Sequence, residues 1–164
     1  MKRSLSSVFV SFLFVTLVAC GFQLRGAVEV PENLKSIYVQ GINLKQDLGR
    51  DLKRGLTDNG IEVLDDYQEG KAVLTVLENK ADRRVLSVGS DGKVSEFLLY
   101  GAVRFKIADG DGQVLIANEE VEAWRNFQFN QEAVLGMSEE ENALRQQLNQ
   151  QLVQSILRRL SVLK

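Results

Sequence analysis

The chain of 164 residues contains no histidine and one cysteine. Without imidazole there is no Ser-His or Cys-His relay, no histidine zinc ligand and no His general base near neutral pH. Proline occurs once, at Pro31, and the chain carries no low-complexity linker and no internal repeat. The length suits one modest domain rather than a multidomain enzyme. A hydrophobic fraction of 45% against 26% charge argues against intrinsic disorder.

What is present begins at the N-terminus. Lys2 and Arg3 precede an uncharged run over residues 8–19. A basic start followed by about 12 apolar residues fits a secretory leader and falls short of the roughly 20 needed for a transmembrane helix. The run ends in Leu17-Val18-Ala19-Cys20. Small Ala19 fits the peptidase subsite, and Cys20 is the thiol that would receive a diacylglycerol before cleavage and N-acylation. Residues 1–19 are therefore expected to be a cleaved lipoprotein signal peptide, with Cys20 the N-palmitoyl and S-diacylglycerol anchor. Each buried methylene contributes about 0.8 kcal/mol, so several acyl chains give stable attachment where one does not. Gly21 is not the Asp typical of inner-membrane retention, which points to the periplasmic face of an outer membrane. A secreted protein with an incidental cysteine is the alternative.

Cleavage leaves 18 basic against 22 acidic residues, a net charge of −4 in place of −2. An acidic domain lacks the clustered Lys and Arg that neutralise phosphates, so nucleic acid is not an expected partner. With its one thiol acylated, the domain has no disulfide and depends on its core.

Residues 20–33 read as a tether and residues 34–164 as a single α+β domain. Residues 34–40 are rich in β-branched and aromatic residues and end at Gly41, a strand pattern. Leu44, Leu48, Leu52 and Leu56 recur every four residues opposite Asp47, Arg50, Arg54 and Asp58, an amphipathic helix closed by Asn59-Gly60. A short strand starts over residues 61–64. Residues 72–88 read as extended, with an interruption at 79–84, and Asp91-Gly92 marks a hairpin turn. Over residues 94–108, Val103, Phe105 and Ile107 alternate with Arg104 and Lys106. After the turn at 109–112, Val121, Ala123, Phe127 and Phe129 share a parity that leaves Trp124 on the opposite face as a contact candidate. Ser138 with Glu141 fits a capping box, with acids 139–141 at a helix start. Leu144, Leu148, Leu152, Ile156 and Leu160 form the apolar stripe of that helix. The order β-α-β-β-β-α predicts a two-layer sandwich, two helices packed on one face of a mostly antiparallel sheet.

Few constellations carry chemistry. Asp109, Asp111 and Glu120 match three ligand positions of a calcium loop, but Val114 stands where the sharp turn needs Gly, so a plain hairpin is expected and no metal. Glu139-Glu140-Glu141 shows no convergent ligand. A pair of carboxylates for glycan hydrolysis can be positioned only by the fold.

The stretch Cys20-Gly21-Phe22-Gln23-Leu24-Arg25-Gly26, followed by Pro31 and this element order, resembles the LptE family of lipopolysaccharide-assembly lipoproteins. The resemblance spans nearly the whole chain, and its sharpest motif is seven residues long. It implies a non-enzymatic protein without a cofactor that plugs an LptD-type outer-membrane barrel as an approximately one-to-one heterodimer. It also implies a part in assembling that translocon and inserting lipopolysaccharide into the outer leaflet. Relatives place basic residues at the hairpin and shortly before the last helix, where this chain has Ser90 and Met137. Because the ligand carries phosphates and sugar carboxylates, Arg83, Arg84 and Lys93 near the Asp91-Gly92 turn are the candidate lipopolysaccharide-binding residues. Cations on a strand edge also serve to block aggregation. The alternative function is another periplasm-facing envelope lipoprotein acting as a binding or scaffold module, or a cell-wall glycan hydrolase.

Overall fold

A computed structural model describes residues 30–129 and 134–163, with the side chains of 134 and 135 excepted. The leader over 1–19, Cys20 and the tether as far as residue 29 lie outside the described residues. A 3-10 turn, Glu32–Leu34, leads into β1 (Ser36–Gln40), α1 (Asp47–Asp58), β2 (Glu62–Leu64), β3 (Ala72–Val88), β4 (Val94–Ala108), β5 (Val114–Gln128) and α2 (Val134–Ser161). The short strand expected after α1 is β2. It brings the sheet to five strands in the order β2-β1-β3-β4-β5. β1 runs parallel to β2 and β3, and the long strands β3, β4 and β5 are antiparallel. The two-layer α+β sandwich is the observed architecture, with α1 and α2 packed against each other and α2 lying on β4 and β5.

Local chemistry explains the boundaries of α1. Asn43 Oδ1 accepts from the Lys45 amide at 2.9 Å, tightening the turn that enters the helix. At the other end Gly60 N donates to Thr57 O at 3.0 Å and Ile61 N to Leu56 O at 3.0 Å, with Gly60 at φ +78°. That is a Schellman closure, which needs the left-handed residue that Gly supplies. Leu48, Leu52 and Leu56 are buried, while Leu44 precedes the helix and is only partly covered.

The core lies between the helices and one sheet face. Ile37 and Val39 of β1, Leu74 and Val76 of β3, Val103, Phe105 and Ile107 of β4, and Leu148, Leu152, Ile156 and Leu160 of α2 belong to one buried cluster. Each fully buried side chain of this size contributes about 1.5–3 kcal/mol. Gly101 lets α2 approach: a Cβ there would lie 2.3 Å from Leu148 Cδ2 and 3.0 Å from Leu152 Cδ1.

Two expectations are corrected. β3 runs unbroken from Ala72 to Val88, with bulges between Val76 and Glu78 and near Ser87 rather than an interruption at 79–84. Asn79, Ala81 and Arg83 share the helix-side face with Val103, Gly101 and Leu99. α2 packs mainly on β4 and β5, so both faces of this stretch stay exposed and its hydrophobic alternation is lost. The last helix begins at Val134, one turn before Ser138. Met137 is 7% exposed and extends the apolar stripe one heptad N-terminal of Leu144. Its burial outweighs the local capping pattern.

Gly101→Val is expected to destabilise the domain by about 1–3 kcal/mol through overpacking against Leu148 and Leu152, measured as a lower midpoint of chemical denaturation at unchanged m-value.

Candidate functional site

β1 pairs with β3 only as far as Thr75, so the β3–β4 hairpin projects beyond the two short strands as an arm. Its turn is pinned by Gly89 N to Lys93 O at 2.7 Å, Gly92 N to Gly89 O at 3.0 Å and Asp91 Oδ1 accepting from Lys93 N at 3.1 Å. Val85, Leu86 and Val88 are exposed near its tip.

The three candidate cations fall at different places on this arm. Arg83 pairs across the strands with Leu99 and faces the helices, whereas its neighbour Arg84 pairs with Leu98 and faces away. Lys93 sits in the turn, 4.0 Å from Asp91. Strand alternation thus separates Arg83 from Arg84 across the sheet, and the turn holds Lys93 apart from both.

On the helix side, Arg83 Nη1 donates to Glu141 Oε2 at 3.0 Å, and its guanidinium lies 4.6 Å from the Phe97 ring centre. Phe97 stacks on Phe127 and meets Phe129 edge-on at 5.4 Å. Arg145, one turn along α2, donates to Glu141 Oε1 from Nε at 2.9 Å and from Nη2 at 2.6 Å. Partial desolvation pushes the Glu141 carboxyl up, but the hydrogen bonds from Arg145 and Arg83, with their charges, outweigh it and hold the group below the ordinary carboxylate value. Glu141 thereby ties the N-terminal part of α2 to the arm. The helix-start reading of residues 138–141 missed this role, and the only local signal was the Glu141–Arg145 spacing of four.

On the outer face Arg84 Nη2 lies 3.3 Å from Asp82 Oδ2 and its guanidinium 4.9 Å from the Tyr100 ring centre. Tyr100 donates to Glu122 Oε1 at 2.8 Å, a bond that raises the phenol's pKa, with desolvation adding to it. Trp124 stands opposite Tyr100 in the β4–β5 register and is 58% exposed, on the outward face expected from its parity. Phe127 is in the core and Phe129 packs partly against it. Glu78 is held by Lys80 at 2.8 Å and Arg104 at 2.5 Å.

Asp109 spends its carboxylate on the turn, where Oδ1 accepts from the amides of Asp111 at 3.0 Å and Gln113 at 2.8 Å. Among the described residues no three His, Cys, Asp or Glu side chains come together to hold a metal ion. The carboxylates displaced from their ordinary value, Glu78 and Glu141, are both lowered. A glycosidase general acid needs the opposite displacement. Met137 is buried in the core. Among the described residues no helix is long and apolar enough to cross a membrane.

The described residues thus form a two-layer α+β sandwich with a projecting hairpin arm that carries charge on both faces. The chain belongs to the LptE family: the lipopolysaccharide-assembly family model matches residues 34–160. It is 25% identical over 160 residues to a protein of Photorhabdus laumondii named LPS-assembly lipoprotein LptE, covering 98% of this chain and 87% of that one. A protein of the same name from Pectobacterium atrosepticum is 25% identical over 166 residues, covering 98% and 86%. Among solved structures, the fold is similar to a minor lipoprotein of Acinetobacter baumannii, with TM-score 0.65 and 29% identity over 78% of this chain and 91% of that one. It is also similar to lipoprotein B of Nitrosomonas europaea, with TM-score 0.70 and 26% identity over 86% and 90%.

Because its folded-state pKa is depressed, Glu141 stabilises the fold above the unfolded carboxylate pKa. That contribution is lost as pH falls through the lower folded value. Glu141→Gln is expected to flatten the fall of unfolding free energy with acid below about pH 4.5, read from denaturation midpoints across pH. An unchanged acid profile would contradict the tie between α2 and the arm.

Proposed function

We propose that this chain is an outer-membrane lipopolysaccharide-assembly lipoprotein. In this reading residues 1–19 are a cleaved leader, and Cys20 carries the diacylglycerol and amide-linked acyl chains at the periplasmic face. Residues 20–33 are the tether to the domain over residues 34–164. The observation that carries the reading is the family match over residues 34–160. The protein acts by docking rather than by catalysis. It plugs an LptD-type barrel at about one to one, assists assembly of that translocon and helps lipopolysaccharide reach the outer leaflet.

The surface suits that task. The interior of a large outer-membrane barrel is polar, and the arm carries charge on both faces: Arg83, paired with Glu141 of α2, on one, and Glu78, Lys80, Asp82, Arg84 and Arg104 on the other. A plug must hydrogen-bond to lumen groups. Affinity purification of the tagged full-length protein from detergent-solubilised outer membranes is expected to recover a barrel of the LptD type at about one to one. Recovery of the protein from that membrane with no barrel would overturn the plug and favour another envelope module.

Arg83, Arg84 and Lys93 supply cations for the headgroup phosphates and carboxylates. Side-chain exposure of 61% at both Arg84 and Lys93 leaves them more accessible than Arg83, which is engaged by Glu141. Arg84→Glu with Lys93→Glu is expected to weaken lipopolysaccharide binding by about tenfold or more, since hydrogen bonds to charged groups contribute about 1.5–3 kcal/mol each. The loss should be largest at low salt. Equal binding by variant and parent across a salt series would remove these two residues from the ligand site.

A further inference from the structure

Two guanidiniums from different elements, Arg83 of the arm and Arg145 of α2, converge on Glu141. The Glu141 side chain is 17% exposed against 47% for Arg83 and 37% for Arg145, so the carboxylate lies beneath and the cations face solvent. An arginine carries five N–H donors. Glu141 takes one from Arg83 and two from Arg145, and no other acceptor among the described residues takes the rest. Two cations against one carboxylate leave the cluster with a net positive charge. The other acids of the run, Glu139 and Glu140, are exposed and turned about 200° and 100° around the helix from Glu141.

The surroundings of this cluster are of two kinds. Toward the tip, Val85 and Phe97 share its face, Val85 exposed and Phe97 half-buried under the Arg83 guanidinium. Toward the body, Arg145 lines a cleft of about 270 Å³ with the amides of Asn79 and Asn149 beside Leu148 and Leu152. Hydrogen-bonding amides, cations and apolar surface thus follow one another along the arm. That order matches a molecule with sugar hydroxyls, a phosphate and hydrocarbon. We propose that Arg83 and Arg145 form a clamp for a phosphate group of a phosphorylated glycolipid, with Glu141 the positioning residue that holds the two guanidiniums at one spacing. Guanidinium forks fit phosphate oxygens in pairs, and cations already ordered by a carboxylate behind them lose less freedom when the ligand arrives. The clamp is separate from the other cations of the arm, because Arg84 faces the opposite side of the sheet and Lys93 sits in the turn. A lumen carboxylate of a barrel would satisfy the cations yet leave Val85 and Phe97 without a partner, which favours the glycolipid. The inference rests on the lipopolysaccharide reading and adds Arg145 to it as a binding residue.

The test measures binding of purified lipopolysaccharide, native and with its phosphates removed, to the full-length protein in detergent. Arg145→Gln and Arg83→Gln are each expected to lower affinity for the native material about tenfold, from hydrogen bonds to a charged group. Affinity for the dephosphorylated material should stay largely unchanged. A substitution that merely loosened the arm from α2 would weaken both materials together, so the difference between them reads the clamp and not the fold. The proposal is overturned by parental affinity for the native material in both variants, or by equal losses for the two materials. It is also overturned if the variants keep that affinity but no longer copurify with a barrel, which would assign the clamp to a lumen carboxylate. A parent that binds neither material overturns the lipopolysaccharide reading and the clamp with it, whereas a parent that binds and variants that match it overturn the clamp alone.

Discussion

Burial of two leucine stripes against one face of one sheet is the constraint on which the rest of the structure depends. Neither helix can hide its stripe alone, and the domain has no disulfide among its described residues to hold it otherwise. α1 packs on α2, and α2 spreads across β4 and β5. Gly101 marks the closest approach, where any side chain on β4 would hold the helix away. The lengths of the strands then decide the outline. β1 and β2 are five and three residues long, while β3 has 17. The excess of β3 and β4 has to project as an arm.

That projection sets the electrostatics. An arm covered by a helix on only part of one face cannot be held by hydrophobic burial along its whole length, and ion pairs take over where burial stops. Glu141, between Arg83 and Arg145, joins the helix layer to the sheet at the boundary. Its carboxylate is drawn partly out of water, yet two guanidiniums keep it ionised. On the outer face, Glu78, Asp82 and Glu122 are each held by a cation or a phenol rather than aimed into open space. A surface built this way is suited to exchanging partners: each charge is satisfied in the isolated chain and can be satisfied again by a neighbour of complementary pattern.

The elements with strong periodicity were legible from the residues. The stripe at Leu48, Leu52 and Leu56, the Asn59-Gly60 closure, the hairpin turns and the alternation at Val103, Phe105 and Ile107 stand where the pattern placed them. So does the outward face of Trp124, because parity along a strand is a local property. Two misreadings share one cause. The polar run at 79–84 looked like a break because it belongs to a stretch of strand that stays exposed on both faces. Ser138 looked like a cap because the apolar residues before it had no visible partner. In both places the structure of a segment was decided by what lay, or did not lie, across from it.

The amino-acid sequence by itself determined the elements, their order, the absence of imidazole chemistry and the family motif from Cys20 to Gly26. Only tertiary structure decided that neighbouring Arg83 and Arg84 face opposite ways, that Glu141 meets an arginine 58 residues away, and that β3 runs free of β1 after Thr75. Periodicity is carried by residues within a few positions of one another, so it can be read along the chain. Convergence of charges and the freedom of an edge depend on which strands are longer than their neighbours and where a helix comes to rest. Those are settled only when the core closes.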